Sequence, residues 1–154
     1  MVVVVITLAT IVAFQSLLRA QQAGGAQEAP AASSTGTPHS VWDGIYTEEQ
    51  AMRGETLYTR RCAACHGPDL NGGEIAPALA SAEFKSNWNG LTVNDLFERI
   101  RVSMPQDNPG TLSRQQIADT LAFVFSKNGF PVGKMELARE TEVVKEIRFE
   151  AIKP

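Results

Sequence analysis

The sequence predicts an all-α fold, on three observations. Three segments begin with a Ser or Thr cap and continue with apolar residues at helical spacing, from Thr47, Thr92 and Ser113. No stretch before residue 145 alternates apolar and polar residues as a strand would. With 154 residues, 44% hydrophobic and 20% charged, the chain has the composition of one globular domain with appendages. A fibrous or wholly disordered chain is excluded.

Charge and cysteine content exclude further classes. The 14 basic and 17 acidic residues give a net charge of −3, with no long run of either sign. A nucleic-acid-binding domain would need a basic face, so no nucleic-acid partner is expected. Two cysteines are too few for a disulfide-built scaffold or a four-thiolate metal site.

The N-terminal residues 1–23 resemble an export signal. The first 18 residues carry no charge, and the mostly apolar run stops at Arg19. This run is shorter than the about 20 apolar residues of a membrane span, and small residues such as Ala20 or Ala23 suit a cleavage point. Because no positive charge precedes the run, either the leader begins upstream of Met1 or the segment stays as an uncleaved anchor. We expect export to the periplasm, with or without a membrane anchor.

Residues 24–40 are rich in Ala, Gly, Ser, Thr and Pro. Such a stretch buries too little apolar surface to offset its ordering entropy, so it is expected to be a disordered linker. His39 lies in this linker and is assigned no role.

The helical domain is expected at residues 41–130. Its first helix starts at a capping box of Thr47 and Gln50 and runs into Cys62. The second starts at Thr92 and ends before Pro105, and residues 67–90 between these helices are expected to form a loop.

The third helix starts at a capping box of Ser113 and Gln116 and stops at Asn128-Gly129. Beyond it lies the C-terminal extension, residues 131–154. Within the extension, residues 140–146 suit a short helix and residues 147–151 an extended segment. The extension is expected to wrap over the helical core.

The motif Cys62-Ala63-Ala64-Cys65-His66 carries the chemistry. Two thiols three positions apart can add to the two vinyl groups of one haem, and the adjacent imidazole then becomes the proximal iron ligand. The expected cofactor is therefore one haem c, attached through Cys62 and Cys65 and ligated by His66.

Three other interpretations of the motif are weaker. A thioredoxin-like redox pair needs a βαβ context, and no strand is predicted before this site. A structural zinc needs a fourth ligand, and the chain has no second cluster of Cys and His. A disulfide would leave His66 unexplained.

The second axial position of the iron needs a further ligand, and a thioether there raises the reduction potential. Met104 is the candidate, because it ends the second helix and precedes Pro105 in a loop that can reach the opposite haem face. Met1 lies in the export segment, Met52 on the attachment helix and Met135 in the C-terminal extension.

With these residues in place, the sequence resembles the single-haem class I c-type cytochromes of bacteria. The resemblance covers residues 42–130 and is carried by Gly54, Tyr58, the segment Cys62-Ala63-Ala64-Cys65-His66-Gly67, Pro77-Ala78-Leu79, Met104-Pro105 and the helix around Leu121 to Phe125. Residues 41–47 and 104–110 look like the subgroup found beside periplasmic quinoprotein alcohol dehydrogenases. The resemblance implies a cytochrome c-like fold of three main helices around one covalent haem, with an extended C-terminal tail.

The resemblance also implies roles for four residues. Gly54 would let the first and last helices cross closely, with Tyr58 packed against an aromatic residue of the last helix. Pro77 would present its carbonyl to the ring N–H of His66, unless it is a plain loop proline. Trp88 would direct its indole N–H to a haem propionate, unless it only packs.

The function expected from the sequence is that of an exported electron carrier with no catalytic residue of its own. If both axial positions are filled, the iron changes oxidation state without exchanging ligands. Its partners would be redox proteins, among them a quinoprotein dehydrogenase or a terminal oxidase. Two alternatives stay open: a cytochrome subunit fixed in a dehydrogenase complex through the C-terminal extension, and a haem enzyme or gas sensor with an open iron.

Overall fold

The computed structural model describes residues 39–154, which are mostly helical. Their elements in chain order are β1 (His39–Ser40), a 3-10 turn (Val41–Asp43), α1 (Glu48–Arg61), α2 (Ala63–His66), α3 (Ala82–Trp88), α4 (Val93–Ser103), α5 (Arg114–Lys127), α6 (Thr141–Val144) and β2 (Ile147–Arg148). The all-α prediction and its three main helices, α1, α4 and α5, are confirmed.

The three long helices begin at the predicted caps. At α4 and α5 both halves of the capping box form, with Thr92 and Asp95 at one and Ser113 and Gln116 at the other. At α1 only half forms: Thr47 accepts from the backbone N–H of Gln50. The capping role predicted for the Gln50 side chain is wrong, because that amide is buried and bonds to the C-terminal extension instead.

Helices α1 and α5 cross in direct backbone contact. A methyl group added at Gly54 would lie 1.9 Å from the carbonyl oxygen of Asp119 on α5, so only glycine fits there. Beside this contact the Tyr58 and Phe123 rings pack with centroids 5.2 Å apart. The close crossing expected from the family resemblance is therefore present, and it fixes the end of α1 that leads into the Cys-x-x-Cys-His motif.

The C-terminal extension is part of the core. Leu137, Val144, Ile147 and Phe149 are all buried. The Phe149 ring lies among those of three other phenylalanines, its centroid 5.4 to 6.1 Å from theirs: Phe84, Phe125 and Phe130. Strand β2 of the extension pairs in parallel with β1, His39 opposite Ile147 and Ser40 opposite Arg148.

Two expectations need correction in the described residues. The last two residues of the expected linker, His39 and Ser40, form strand β1, because a partner strand more than 100 residues away supplies their hydrogen bonds. The expected loop of residues 67–90 contains helix α3, whose Ser81 cap accepts from Phe84 N–H. Its two apolar anchors, Phe84 and Trp88, are one turn apart, which is too short a pattern to predict a helix from sequence.

The predicted export signal and most of the predicted linker lie outside the described residues. Among the helices of residues 39–154, none combines the length and the apolar character that crossing a bilayer requires.

Candidate functional site

The Cys-x-x-Cys-His motif sits where α1 passes into the single turn of α2. Cys62 is both the C-terminal cap of α1 and the N-terminal cap of α2, and its N–H donates to the Tyr58 carbonyl at 2.8 Å. Residues three and four apart share one face of a helix, so Cys62, Cys65 and His66 lie on the same side of this turn. Both cysteines are free thiols, Cys62 half-buried and Cys65 exposed.

The His66 ring is buried, and its orientation is fixed. Its Nδ1 atom lies 2.8 Å from the carbonyl oxygen of Pro77. Because a carbonyl can only accept, Nδ1 must carry the proton, which leaves the lone pair on Nε2. A partner of this kind sets the tautomer of a ligating histidine and raises its basicity.

The loop of residues 67–80, the proximal loop, holds the Pro77 carbonyl in place. Tyr58 donates from its hydroxyl to the Gly67 carbonyl at 2.6 Å. Gly72 has a positive φ of 73° and donates to the His66 carbonyl at 2.8 Å. A methyl group at Gly72 would lie 2.4 Å from Ala78 N, so the two arms of the proximal loop touch at the residue after Pro77.

One residue of this site was not predicted from the sequence. The side chain of Asn128, at the end of α5, donates to the Leu79 carbonyl at 2.8 Å and to the Val124 carbonyl at 2.9 Å. In the sequence Asn128 and Gly129 indicate only a helix stop. No local pattern could have revealed a contact across 49 positions.

Met104 and Trp88 lie on other elements. Met104 is the C-terminal cap of α4, half-buried, and its N–H donates to the Ile100 carbonyl at 2.9 Å. It opens the distal segment, residues 104–112, in which residues 106–111 are exposed. Trp88 ends α3 and packs on the core, with its ring 6.4 Å from that of Phe84. The structure thus joins His66 to Pro77 directly, and the roles given to Met104 and Trp88 remain predictions.

Two competing interpretations of the motif lose support. Burial raises the pKa of the Cys62 thiol to about 11, against a smaller lowering by Arg61. Thiols of redox-active Cys-x-x-Cys pairs have lowered pKa values instead. Within residues 39–154, no three Cys, His, Asp or Glu side chains are grouped to bind a metal ion, which disfavours zinc.

Comparison with known proteins agrees with the site. Residues 49–124, from the first turn of α1 to the last turns of α5, match the family model described as cytochrome c oxidase, cbb3-type, subunit III. No curated protein sequence matches the chain. Among solved structures, sulfane dehydrogenase SoxCD from Paracoccus pantotrophus is similar, with a TM-score of 0.47 and 23% identity over 68% of this chain. The match spans 61% of that chain.

Residues 49–124 thus form a cytochrome c domain of class I type. A cytochrome c domain implies haem c as its cofactor. Haem c also fits the residues present, since the motif offers two free thiols and a buried imidazole whose Nε2 remains available as a ligand.

Proposed function

We propose that the protein is an exported, non-catalytic electron carrier in which His66 and Met104 are the two axial ligands of one haem c. The observation that carries this proposal is the 2.8 Å contact between His66 Nδ1 and the Pro77 carbonyl. It gives His66 the tautomer and the fixed ring of an axial ligand, beside two free thiols at the required spacing.

In this proposal the chain binds, orients and encloses the cofactor. The haem iron, when bound, supplies the one-electron exchange. Cys62 and Cys65 would hold the cofactor by thioether bonds, and Pro77 would keep the His66 ring from rotating. Trp88 is proposed to donate its indole N–H to a propionate. With His66 and Met104 both bound to the iron, the cofactor would have no open position for a substrate.

Met104 is the best placed of the methionines in the described residues. It is half-buried at the end of α4, in a segment that leaves the helix. Met52 is 55% exposed on α1 and Met135 is 78% exposed in the C-terminal extension. A ligand in a shielded iron site has to be withdrawn from water, which favours Met104 over either.

The test is the variant Met104→Ala in the haem-loaded protein, with Met135→Ala as the matched control. We expect Met104→Ala to lower the reduction potential by more than about 59 mV, the value of one tenfold change in relative stability for a one-electron couple. We also expect the reduced variant to bind carbon monoxide rapidly. The control should keep the wild-type potential and bind carbon monoxide slowly or not at all.

Two results would overturn the proposal. A wild-type potential and spectrum in Met104→Ala would mean that the sixth ligand is another group. Rapid carbon monoxide binding to the native reduced protein would favour the haem enzyme or gas sensor with an open iron.

Export is proposed from residues 1–23 and from the motif, because haem is attached to such chains on the oxidising side of the bacterial membrane. The mass of the purified chain tests both points at once. We expect the added mass of one haem, together with either loss of the leader or retention of a membrane anchor. A chain of unprocessed mass found in the cytoplasm would contradict export.

A fixed subunit of a quinoprotein dehydrogenase complex is the second candidate. Met135 and Ile152 of the C-terminal extension are 78% and 82% exposed, which leaves apolar side chains to dock. Against this candidate, Leu137 and Phe149 of the same extension are buried in the core of this domain, so they are not free to contact a partner. Size-exclusion chromatography with the purified dehydrogenase separates the two: we expect transient binding, and a stable complex would favour the subunit.

A further inference from the structure

We propose that Asn128 is a positioning residue for the axial histidine, holding the Pro77 carbonyl against His66 through the peptide of Leu79. The inference rests on the proposed function, because it takes His66 as the iron ligand. Asn128 is the C-terminal cap of α5, is remote in sequence from both His66 and Pro77, and lies outside the Cys-x-x-Cys-His motif.

The orientation of the Asn128 side-chain amide follows from the two hydrogen bonds that its nitrogen donates. Its side-chain nitrogen lies 2.8 Å from the Leu79 carbonyl oxygen and 2.9 Å from that of Val124. A flipped amide would put its oxygen against two carbonyl oxygens, so the orientation is settled by the neighbours. The other amide atom, Oδ1, is buried and has no hydrogen-bond partner within residues 39–154. The side chain therefore acts as a donor, bridging the end of α5 to the proximal loop.

Both backbone polar groups of Leu79 are hydrogen-bonded. Its N–H donates to the Leu70 carbonyl at 2.8 Å, inside the proximal loop. Its carbonyl accepts from Asn128, outside the loop. Leu79 is two residues beyond Pro77, and Gly72 packs against the intervening peptide. The Pro77 carbonyl thus lies at one end of the short segment 77–79. Among the hydrogen bonds of the described residues, Asn128 is the one side chain that connects this segment to α5.

Loss of the hydrogen bond between Asn128 and Leu79 should shift the reduction potential in a predictable direction. Without the Asn128 donor, the Leu79 carbonyl must find another partner, and the segment that carries Pro77 loosens. The bond from His66 Nδ1–H then weakens, and the imidazole becomes a less basic ligand. A less basic ligand stabilises ferric iron less, so the reduction potential rises.

Gln50 offers a matched control. It is also a buried amide that ties a helix to a distant loop, donating to the Leu137 carbonyl at 3.1 Å and accepting from Leu137 N–H at 2.6 Å. Its loop is the C-terminal extension, not the proximal loop. Removing either amide should destabilise the fold, but only removal of the Asn128 amide should weaken the hydrogen bond from His66 to Pro77.

The experiment compares Asn128→Leu and Gln50→Leu as haem-loaded proteins. Two quantities are measured: the reduction potential, and the rate at which the His66 Nδ1 proton exchanges with deuterium in the reduced protein, followed by NMR. We expect Asn128→Leu to raise the potential and to speed this exchange about tenfold, as loss of one hydrogen bond allows. Gln50→Leu should lower the melting temperature and leave both quantities at wild-type values.

Unchanged potential and exchange in Asn128→Leu, or equal changes in both variants, would overturn the proposal. Asn128→Ala, which also removes the donor and adds no charge, should repeat the effect. If neither Asn128 variant accumulates, exchange in the wild-type protein decides: the His66 Nδ1 and Asn128 Nδ2 protons should exchange with similar protection, and a far faster His66 proton contradicts the link. Failure of the proposed function itself would be visible first, as wild-type His66 ring signals without haem-induced shifts.

Discussion

The two segments next to the proposed axial ligands, the proximal loop after His66 and the distal segment that begins with Met104, are held in different ways. Carbonyl groups of the proximal loop accept hydrogen bonds from Tyr58 of α1, from Asn128 at the end of α5 and from the ring of His66 on α2. The distal segment bonds mainly to itself, as in the contact from the Thr111 hydroxyl to the Asn108 carbonyl at 2.8 Å. Among the hydrogen bonds of residues 39–154, its one contact with another helix is exposed and runs from the Arg61 guanidinium to the Thr111 hydroxyl at 3.1 Å.

This difference indicates two ways of placing a ligand. On the proximal side, partly buried contacts from three helices fix the ring before any metal binds. On the distal side, the end of α4 sets where the segment starts, and exposed residues 106–111 lead away from it. Perturbing the proximal loop should therefore cost stability, whereas perturbing the distal segment should cost little.

The largest contrast is expected between two glycine substitutions, Gly72→Ala and Gly110→Ala. Both glycines have positive φ, 73° and 75°, so either substitution carries a backbone cost of about 1 kcal/mol. At Gly110 a methyl group meets nothing within 4 Å, while at Gly72 it meets Ala78 N at 2.4 Å and the Pro77 carbonyl carbon at 2.7 Å. Forced repacking adds about 1–3 kcal/mol. Guanidinium unfolding of the haem-loaded variants measures the difference.

Because both variants share the conformational cost, Gly110→Ala serves as the control for Gly72→Ala. Equal losses of stability would mean that the proximal loop yields as easily as the distal segment. The comparison between the two segments would then fail.

A smaller effect is expected for Tyr58→Phe, about 1 kcal/mol at neutral pH for the lost bond to the Gly67 carbonyl. Burial, followed by the charges of Cys62 and Asp69, raises the pKa of Tyr58 to about 12. In the unfolded chain the phenol ionises near pH 10. The wild-type protein keeps the full contribution below pH 10 and loses it as the pH rises towards 12, so the stability gap between the two proteins should narrow over that range.

The matched control is Tyr46→Phe, which removes a bond of the same length, 2.6 Å, to the Phe130 carbonyl. This tyrosine is also buried, but its partner belongs to the end of the helical core and not to the proximal loop. Both variants should lose stability, and only Tyr58→Phe should speed exchange of the His66 Nδ1 proton. Identical exchange in both would remove Tyr58 from the support of the proximal loop.

The sequence predicts the local parts of this architecture well. The caps at Thr92 and Ser113 and the Cys-x-x-Cys-His motif are patterns within a few residues, and the helices begin where the patterns indicate. Contacts between distant positions are not readable in this way. Gln50 matches a capping box, yet its amide bonds to Leu137, 87 positions away, because burial there offers two backbone partners at once.

The same limit applies to the site. The spacing of the motif identifies Cys62, Cys65 and His66, and the family resemblance adds Pro77, but Asn128 matches an ordinary helix stop. Its contact with Leu79 depends on how α5 crosses α1, which is fixed by Gly54 and the aromatic pair beside it. The support of the proposed ligand His66 depends on tertiary packing, whereas the proposal of His66 itself rests on local sequence.

The smallest effect is expected for Thr111→Val, which keeps the side-chain shape and removes the hydroxyl that contacts Arg61 and Asn108. Both contacts are exposed, so water replaces them and the free energy of unfolding should change by no more than about 0.5 kcal/mol. Chemical unfolding gives that value, and carbon monoxide binding to the reduced variant shows whether Met104 has become easier to displace. A large loss of stability would place the distal segment among the tightly held parts of the molecule. Unchanged stability with faster carbon monoxide binding would sharpen the contrast instead, because one surface contact would then restrain the sixth ligand without supporting the fold.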